Sequence, residues 1–262
     1  MTDEPTTGSI AFDRAVEYYD RTRGLPAEVQ AKVTELLAGE LSGRGLCLEP
    51  GVGTGRISLP LHEGGIPMVG ADLSKPMMAR LVENAGGRMP FPLLQADLTA
   101  LPFAADSFGA ALICHVFHLV PAWRAATVEL ARVVRPGGVV VVNLGGSPTS
   151  IGAEIFRELS RQAGDQGLRP GATEPGEVDE AMAAAGAPLR LVRAVPNTWR
   201  FSLSEHFAHL EANRSAVTWR LEEETRIRAL AATKAWARDR YGDLDAQREE
   251  DGAITWRVYE VS

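Results

Sequence analysis

The segment Leu46-Cys-Leu-Glu-Pro-Gly-Val-Gly-Thr-Gly-Arg56 sets three glycines, Gly51, Gly53 and Gly55, at alternate positions directly after a short apolar run. Glycine at such a place lets the backbone turn sharply and lets a ligand approach the main chain. A plain strand-to-helix turn would use the same residues, so the neighbours decide. The dinucleotide fingerprint wants its third glycine at position 56, where this chain carries arginine. Glu49 stands just before the glycines. It would repel a pyrophosphate and attract a cation, such as a ligand bearing a sulfonium and an ammonium. Asp72 closes the next apolar run about 20 residues on, where an acid accepts hydrogen bonds from both ribose hydroxyls. Asp97, in Gln95-Ala-Asp-Leu98, ends a third run and can accept from an adenine amino group. Singly, each acid could be a helix cap or a solvated loop residue. Together they close three successive runs on one sheet edge.

Such residues need a parallel sheet behind them, and the chain supplies its pattern. Residues 11–20 read as a short helix with Tyr18 and Tyr19 near its end. Pro26 opens a helix on which Val29, Val33, Leu36, Leu37 and Leu41 share a face, with Gly43 and Gly45 stopping it. Strands are expected at 46–49, 67–71, 92–96, 109–114 and 139–144. Helices are expected at 56–63, short or kinked by Pro60, at 75–84, capped by Ser74, and at 121–134. Residues 135–138 read as a turn. Strands alternating with helices imply right-handed crossovers and a doubly wound, mainly parallel α/β sheet.

The rhythm changes after Gly146. Residues 147–187 read as helical, broken by a Gly/Pro-rich stretch at 164–176. Strands are expected at 189–195 and 198–203, a helix capped by Ser204, a longer helix over 222–241 ended by Gly242, and a last strand at 253–261. This divides the chain into a disordered N-terminus (1–10), a ligand-binding α/β core (11–146), and a cap and substrate region (147–262). The final strands of that last region complete the same sheet as an antiparallel hairpin.

Composition sets outer bounds. Apolar residues make up 45% and charged residues 23%, ordinary for a globular protein. A net charge of -7 disfavours nucleic acid or an anionic membrane as partner. No apolar run reaches the ~18 residues of a membrane span, and residues 1–9 lack the basic and apolar regions of a signal peptide. Cys47 and Cys114 lie in apolar runs and read as buried free thiols of a cytoplasmic protein.

Five motifs appear in order: Glu49-Pro-Gly-Val-Gly-Thr-Gly55, Gly70-Ala-Asp-Leu-Ser74, Gln95-Ala-Asp-Leu98, Leu101-Pro-Phe103 with Asp106-Ser-Phe108, and Arg132-Val-Val-Arg-Pro-Gly-Gly138. Over residues 11–145 the chain resembles the class I S-adenosylmethionine (SAM)-dependent methyltransferases, nearest to the small-molecule group that includes the quinone-biosynthesis enzymes. The resemblance implies a Rossmann-like fold and SAM as cofactor, with S-adenosylhomocysteine (SAH) as product. It implies that Glu49, Gly51, Gly53 and Gly55 hold the methionine end and Asp72 the ribose. Leu73 would pack on the adenine, with Asp97 and Leu98 at its amino edge. His115, Tyr19 and Arg23 would also contact the cofactor.

Methyl transfer from a sulfonium is an in-line displacement, so the protein must align the nucleophile, exclude water and, where needed, take a proton. His118 and His115, in Cys114-His-Val-Phe-His118, are the candidate bases; as plain loop residues they would instead cap the following helix or line the cofactor site. His206 and His209 lie three apart on an expected helix, but no carboxylate or cysteine pattern accompanies them, and no metal is expected. Trp199, Phe201, Phe207, Trp219 and Trp236 would be core or the wall of an aromatic or lipophilic acceptor site. The expected reaction is methyl transfer to an O, N or C atom of a small molecule by a monomer or homodimer. A non-catalytic SAM-binding regulator or scaffold is the alternative; Arg56 and Glu49 speak against an NAD-dependent oxidoreductase.

Overall fold

The structure, a computed structural model, describes residues 8–145, 150–164 and 168–262. Apolar runs between glycine and proline breaks form β1 (Cys47–Pro50), β2 (Met68–Asp72), β3 (Leu93–Gln95), β4 (Phe108–Cys114) and β5 (Val134–Asn143), followed by β6 (Leu189–Phe201) and β7 (Arg248–Glu260). They make one seven-stranded sheet in the order β3-β2-β1-β4-β5-β7-β6. The first five strands pair in parallel, and β7 joins β5 antiparallel. This is the expected doubly wound, mainly parallel sheet with antiparallel C-terminal strands. β4 is buried throughout, as are Val139–Val142 of β5, because helices cover both faces of a parallel sheet. The chain runs outward through β2 and β3, then returns to place β4 on the other side of β1. In sheets of this kind a ligand crevice forms at such a reversal, here at the carboxyl ends of β1 and β4.

The helices are α1 (Tyr19–Arg23), α2 (Ala27–Leu41), α3 (Ser58–Glu63), α4 (Lys75–Asn84), α5 (Trp123–Val133), α6 (Ile151–Gln162), α7 (Pro175–Ala184), α8 (Leu203–Glu211), α9 (Ala216–Trp219) and α10 (Glu223–Tyr241). Contacts divide the chain into two units. The first holds the chain through Gly145 with Gly171–Val195 and Thr255–Ser262; the second holds the stretch ending at Pro170 and Pro196–Ile254. The first is built on a core running from Leu48 and Ala71 through Ile113 and Val140 to Tyr259. The second is largely helical, packed around Ile155, Leu159, Phe207, Leu210 and Leu230.

Several boundaries depart from the sequence reading, each for a local reason. The helix expected over 11–20 is instead a 3-10 turn at Asp13–Ala15 followed by α1. Pro60 falls at the third residue of α3, where the lost N–H had no intrahelical partner, so the helix is short without a proline-broken hydrogen bond. Residues 135–138 belong to β5, entering it through a register shift opposite Phe108 and Ala110. The two strands expected at 189–203 are one, β6. Ser202, not Ser204, caps α8, in a reciprocal box with Glu205. The antiparallel pair β6–β7 is joined by α8, α9 and α10 rather than by a hairpin turn. Of the residues expected to be disordered, 1–7 lie outside the described residues, as does the domain boundary expected at Gly146. Ser9 is buried, and the Ile10 N–H donates to the Leu119 carbonyl at 3.1 Å.

Candidate cofactor and active site

The loop after β1 is the centre of the crevice. Gly51, Gly53 and Gly55 have φ of 76°, 55° and 81°, a left-handed region that a β-carbon disfavours. Their surroundings differ. A Cβ on Gly51 would meet Val116 Cγ2 at 2.3 Å, and one on Gly55 would meet Leu59 Cγ at 2.7 Å and Leu81 Cγ at 2.8 Å. Gly51 therefore admits Val116, two residues beyond β4, and Gly55 admits the packing of α3 against α4. At Gly53 the nearest atom is Met77 Cε at 3.5 Å, so a Cβ there would make only an ordinary contact.

Hydrogen bonds fix the loop. The Gly51 and Val52 N–H groups donate to the Ala71 carbonyl at 2.7 and 3.0 Å. Gly53 N–H donates to Asp72 Oδ2 at 2.8 Å, and Ser74 N–H donates to Asp72 Oδ1 at 2.8 Å. Burial pushes the Asp72 carboxyl up, with these backbone donors opposing the rise. From α1, Asp20 accepts from Thr54 Oγ1 at 2.5 Å and from Asn84 Nδ2 at 3.1 Å, tying the N-terminal segment to the glycine loop.

Glu49 is buried at the end of β1, and its Oε2 has no hydrogen-bond partner. Burial pushes its carboxyl up to about 8; the Ser58 hydroxyl and the Arg56 guanidinium oppose the rise, and Asp72 adds to it. Arg56 follows the third glycine. Its Nη2 donates to Cys114 Sγ at 3.4 Å, and its buried Nε has no partner. Burial works against the Arg56 charge, yet Cys114, Tyr19 and Glu49 together hold its pKa above the ordinary value. Tyr19, on α1, faces the same group: burial pushes its phenol up, with Arg56 opposing.

His115 directly follows β4 in a left-handed conformation, φ 58°. Its N–H donates to the Asn143 carbonyl at 2.9 Å, and its ring lies across Gly145, where a Cβ would stand 3.0 Å from Nε2. Burial holds the imidazole well below its usual pKa, helped by the charges of Arg56, His118 and Arg23 and opposed by the Asn143 side chain. It is neutral at pH 7. His118 lies in the 3-10 turn Phe117–Leu119, and its carbonyl accepts from Gly171 N–H at 3.2 Å.

The structure thus brings Glu49, Gly53, Asp72, Tyr19 and His115 around one crevice. Arg23 is exposed at the end of α1 but acts on both Tyr19 and His115 through its charge. Asp97 Oδ1 accepts from the Thr99 N–H and hydroxyl at 2.8 and 2.7 Å, closing a turn. The Leu73 carbonyl accepts from Gln95 Nε2 at 2.9 Å, linking the ends of β2 and β3. The Leu98 side chain belongs to the apolar core. In the second unit, the His206 ring packs edge-on to Phe156 and Phe207. Among the described residues, no three His, Cys, Asp or Glu side chains gather to hold a metal ion, and no helix is long and apolar enough to cross a membrane.

Sequence reasoning weighed Arg56 only as a missing glycine, and did not find Asp20 or Asn143. Nothing local marks Asp20, whose partners Thr54 and Asn84 lie 34 and 64 residues away.

A family profile described as a methyltransferase domain matches residues 48–142. A demethylmenaquinone methyltransferase of Mycolicibacterium paratuberculosis is 31% identical over 168 residues, covering 62% of this chain and 70% of that protein. A phosphatidylethanolamine N-methyltransferase of Cereibacter sphaeroides is 35% identical over 127 residues, covering 47% and 61%. The match spans only about three fifths of some relatives, 59% and 61% of two of them. Among solved structures, the YcgJ protein of Bacillus subtilis superposes with a TM-score of 0.61 at 16% identity, over 88% of this chain and 99% of that one. Ordered motifs, glycine loop, sheet order and sequence identity agree: the chain belongs to the class I SAM-dependent methyltransferase family.

Proposed function

We propose that this chain binds SAM and transfers its methyl group to an O, N or C atom of a small-molecule acceptor. The observation that carries the reading is Glu49, a buried carboxyl whose Oε2 has no hydrogen-bond partner, at the end of the strand that leads into the glycine loop. Such a group is costly to bury unless a cation completes it, and the SAM tail brings an ammonium. The other residues fit the same ligand. Asp72, half-buried, keeps acceptor capacity for ribose hydroxyls beyond its two backbone donors. Tyr19 and Arg23 on α1 and Leu73 after β2 complete the binding set, and Asp97 with the Leu98 backbone stands at the adenine edge.

When bound, SAM supplies an electrophilic methyl on sulfur, open to in-line attack by the acceptor. The chain's part is to hold that axis and exclude water. Where the acceptor must lose a proton, we assign the accepting role to His115: its imidazole is neutral, held by Asn143 and Gly145, and strained into a backbone conformation that marks functional positions. His118 lies beside it. Relatives named as demethylmenaquinone and phosphatidylethanolamine methyltransferases support an aromatic or lipophilic small molecule here.

The test is calorimetric titration with SAM, SAH and NAD, followed by assay for SAH in an acceptor screen. Micromolar binding of the first two, near about -8 kcal/mol, with SAH formed in the screen, is the expected result. NAD binding alone would overturn the reading. SAM binding with no turnover on any acceptor would favour a regulator or scaffold.

A further inference from the structure

Trp256, on β7, is only 1% exposed, yet its indole Nε1 has no hydrogen-bond partner among the described residues. A buried indole N–H ordinarily finds an acceptor, and one left unpaired has given up water for nothing. Its place in the sheet narrows what could complete it. Val142 is registered against Arg257, so Trp256 stands across from Asn143, the last residue of β5. Cys114, the last residue of β4, is registered against Asn143 on the other side. Residues opposite one another in a sheet share a face. Cys114, Asn143 and Trp256 therefore form one row across the carboxyl ends of β4 and β5. Asn143 ties the row together. Its Nδ2 donates to the Thr255 carbonyl at 2.8 Å. Its Oδ1 accepts from the Gly145 N–H at 3.1 Å and from Cys114 Sγ at 3.8 Å, and its carbonyl accepts from the His115 N–H at 2.9 Å. The Trp256 donor is left out of this knot.

The cofactor set stands elsewhere. Glu49, Asp72 and Asp97 follow the ends of β1, β2 and β3, whereas β4 and β5 separate β1 from β7. Three strand spacings, about 14 Å, lie between Glu49 and Trp256. His115, the candidate base, leaves β4 between them. A group that reaches Trp256 lies on the far side of His115 from the glycine loop, the side left for a methyl acceptor. We infer that Trp256 is an acceptor-binding residue: its indole N–H donates to a carbonyl or phenol oxygen of the methyl acceptor, and the site thereby selects acceptors that carry such an oxygen. The inference rests on the methyl-transfer reading above and adds the chemistry that the acceptor presents. An indole suits the task because it only donates, so the group opposite it must accept, and because its flat body packs against an apolar ring.

The test follows the Trp256 indole N–H by NMR on the intact nitrogen-15-labelled chain loaded with SAH, the signal being assigned by its loss in Trp256→Phe. The probes are 1-tetralone, a bicyclic aromatic ketone, and tetralin, the same ring system without the oxygen. SAH alone should leave the signal in place, and tetralone should move its proton downfield as a new hydrogen bond forms. The native chain should bind tetralone about tenfold more tightly than tetralin, and Trp256→Phe less than about threefold more tightly. SAH affinity should stay within about twofold in that variant, which separates acceptor binding from a general loss of structure. A downfield move on SAH alone would give the donor to the cofactor and overturn the inference. So would equal affinity for the two probes, binding of neither, or a preference for tetralone that survives in Trp256→Phe. If Trp256→Phe does not fold, the native preference and the shift of a buried indole signal decide. A chain that fails to bind SAH but still prefers tetralone would sink the methyl-transfer reading and leave the Trp256 site standing. SAH binding without that preference would sink the inference alone.

Discussion

Gly53 and Asp72 are joined directly: the amide at the midpoint of the glycine loop donates to the carboxylate that ends the next strand, at 2.8 Å. Asp72 therefore shapes the loop as well as standing where the ribose is proposed to bind. Asp72→Ala strands the Gly53 and Ser74 N–H groups, and should lower stability by about 1–3 kcal/mol along with SAM affinity by at least about tenfold. Asp72→Asn keeps one acceptor oxygen and should lose less of each. Thermal melts and calorimetry measure the two losses separately; unchanged SAM affinity in the alanine variant would place the ribose elsewhere.

Glu49 carries a stability penalty whose sign follows from its pKa. The folded value, about 8, lies above the usual 4.5, so burial disfavours the ionised form. Stability contributed below pH 4.5 is lost as pH rises towards 8, by at most about 5 kcal/mol. Glu49→Gln should melt higher than the native chain at pH 8, with the gap shrinking towards pH 5, yet should lose most SAM affinity. Native affinity should climb between pH 6 and 8 with proton release on binding, read from calorimetry in buffers of different ionisation enthalpy. A pH-independent melting difference would mean that Glu49 is not ionising in the folded chain.

Two glycines two residues apart should respond differently. Gly51→Ala forces a Cβ against Val116 on top of a positive φ, and should destabilise by about 2–4 kcal/mol. Gly53→Ala meets nothing closer than 3.5 Å, so its stability loss should stay near the backbone term of about 1–2 kcal/mol. Its main effect should be on ligand affinity, because the new methyl sits at the midpoint of the loop proposed to hold the ligand. Equal affinity of native and Gly53→Ala chains would show that the ligand does not approach there.

With an acceptor in hand, His115→Ala should lower kcat by on the order of 10²–10⁴ if the acceptor must be deprotonated. His118→Ala should change it by less than about tenfold. Because His115 titrates well below its ordinary value, the native rate should show no imidazole step between pH 6.5 and 8. A step in that window that vanishes in His118→Ala would move the base to His118.

Much of the first unit was legible because each strand is an apolar run cut by glycine or proline, and because Glu49, Asp72 and His115 each sit at a strand end. The misreadings have physical causes. Pro196 made β6 look like two strands, but β6 is the outer strand of the sheet, where a missing N–H costs little. Arg135-Pro-Gly-Gly138 looks like a turn, yet it enters β5 through the register shift. Ser204 is a good cap residue by type, but Ser202 has Glu205 three residues on, and the reciprocal pair won. The Arg56–Cys114 contact was out of reach of the sequence, because its two residues lie 58 apart. It depends on how the turn through the left-handed glycines aims a long side chain, and spacing does not report where a side chain ends.

The place of β7 has a consequence for synthesis. It lies between β5 and β6, with Val139–Val142 registered against Arg257–Glu260. Until those residues leave the ribosome, β5 is an open edge of four consecutive valines, the kind of unpaired apolar strand that recruits other chains. A nascent or truncated product that stops before Arg248 would carry every residue of the glycine loop and still be prone to aggregate.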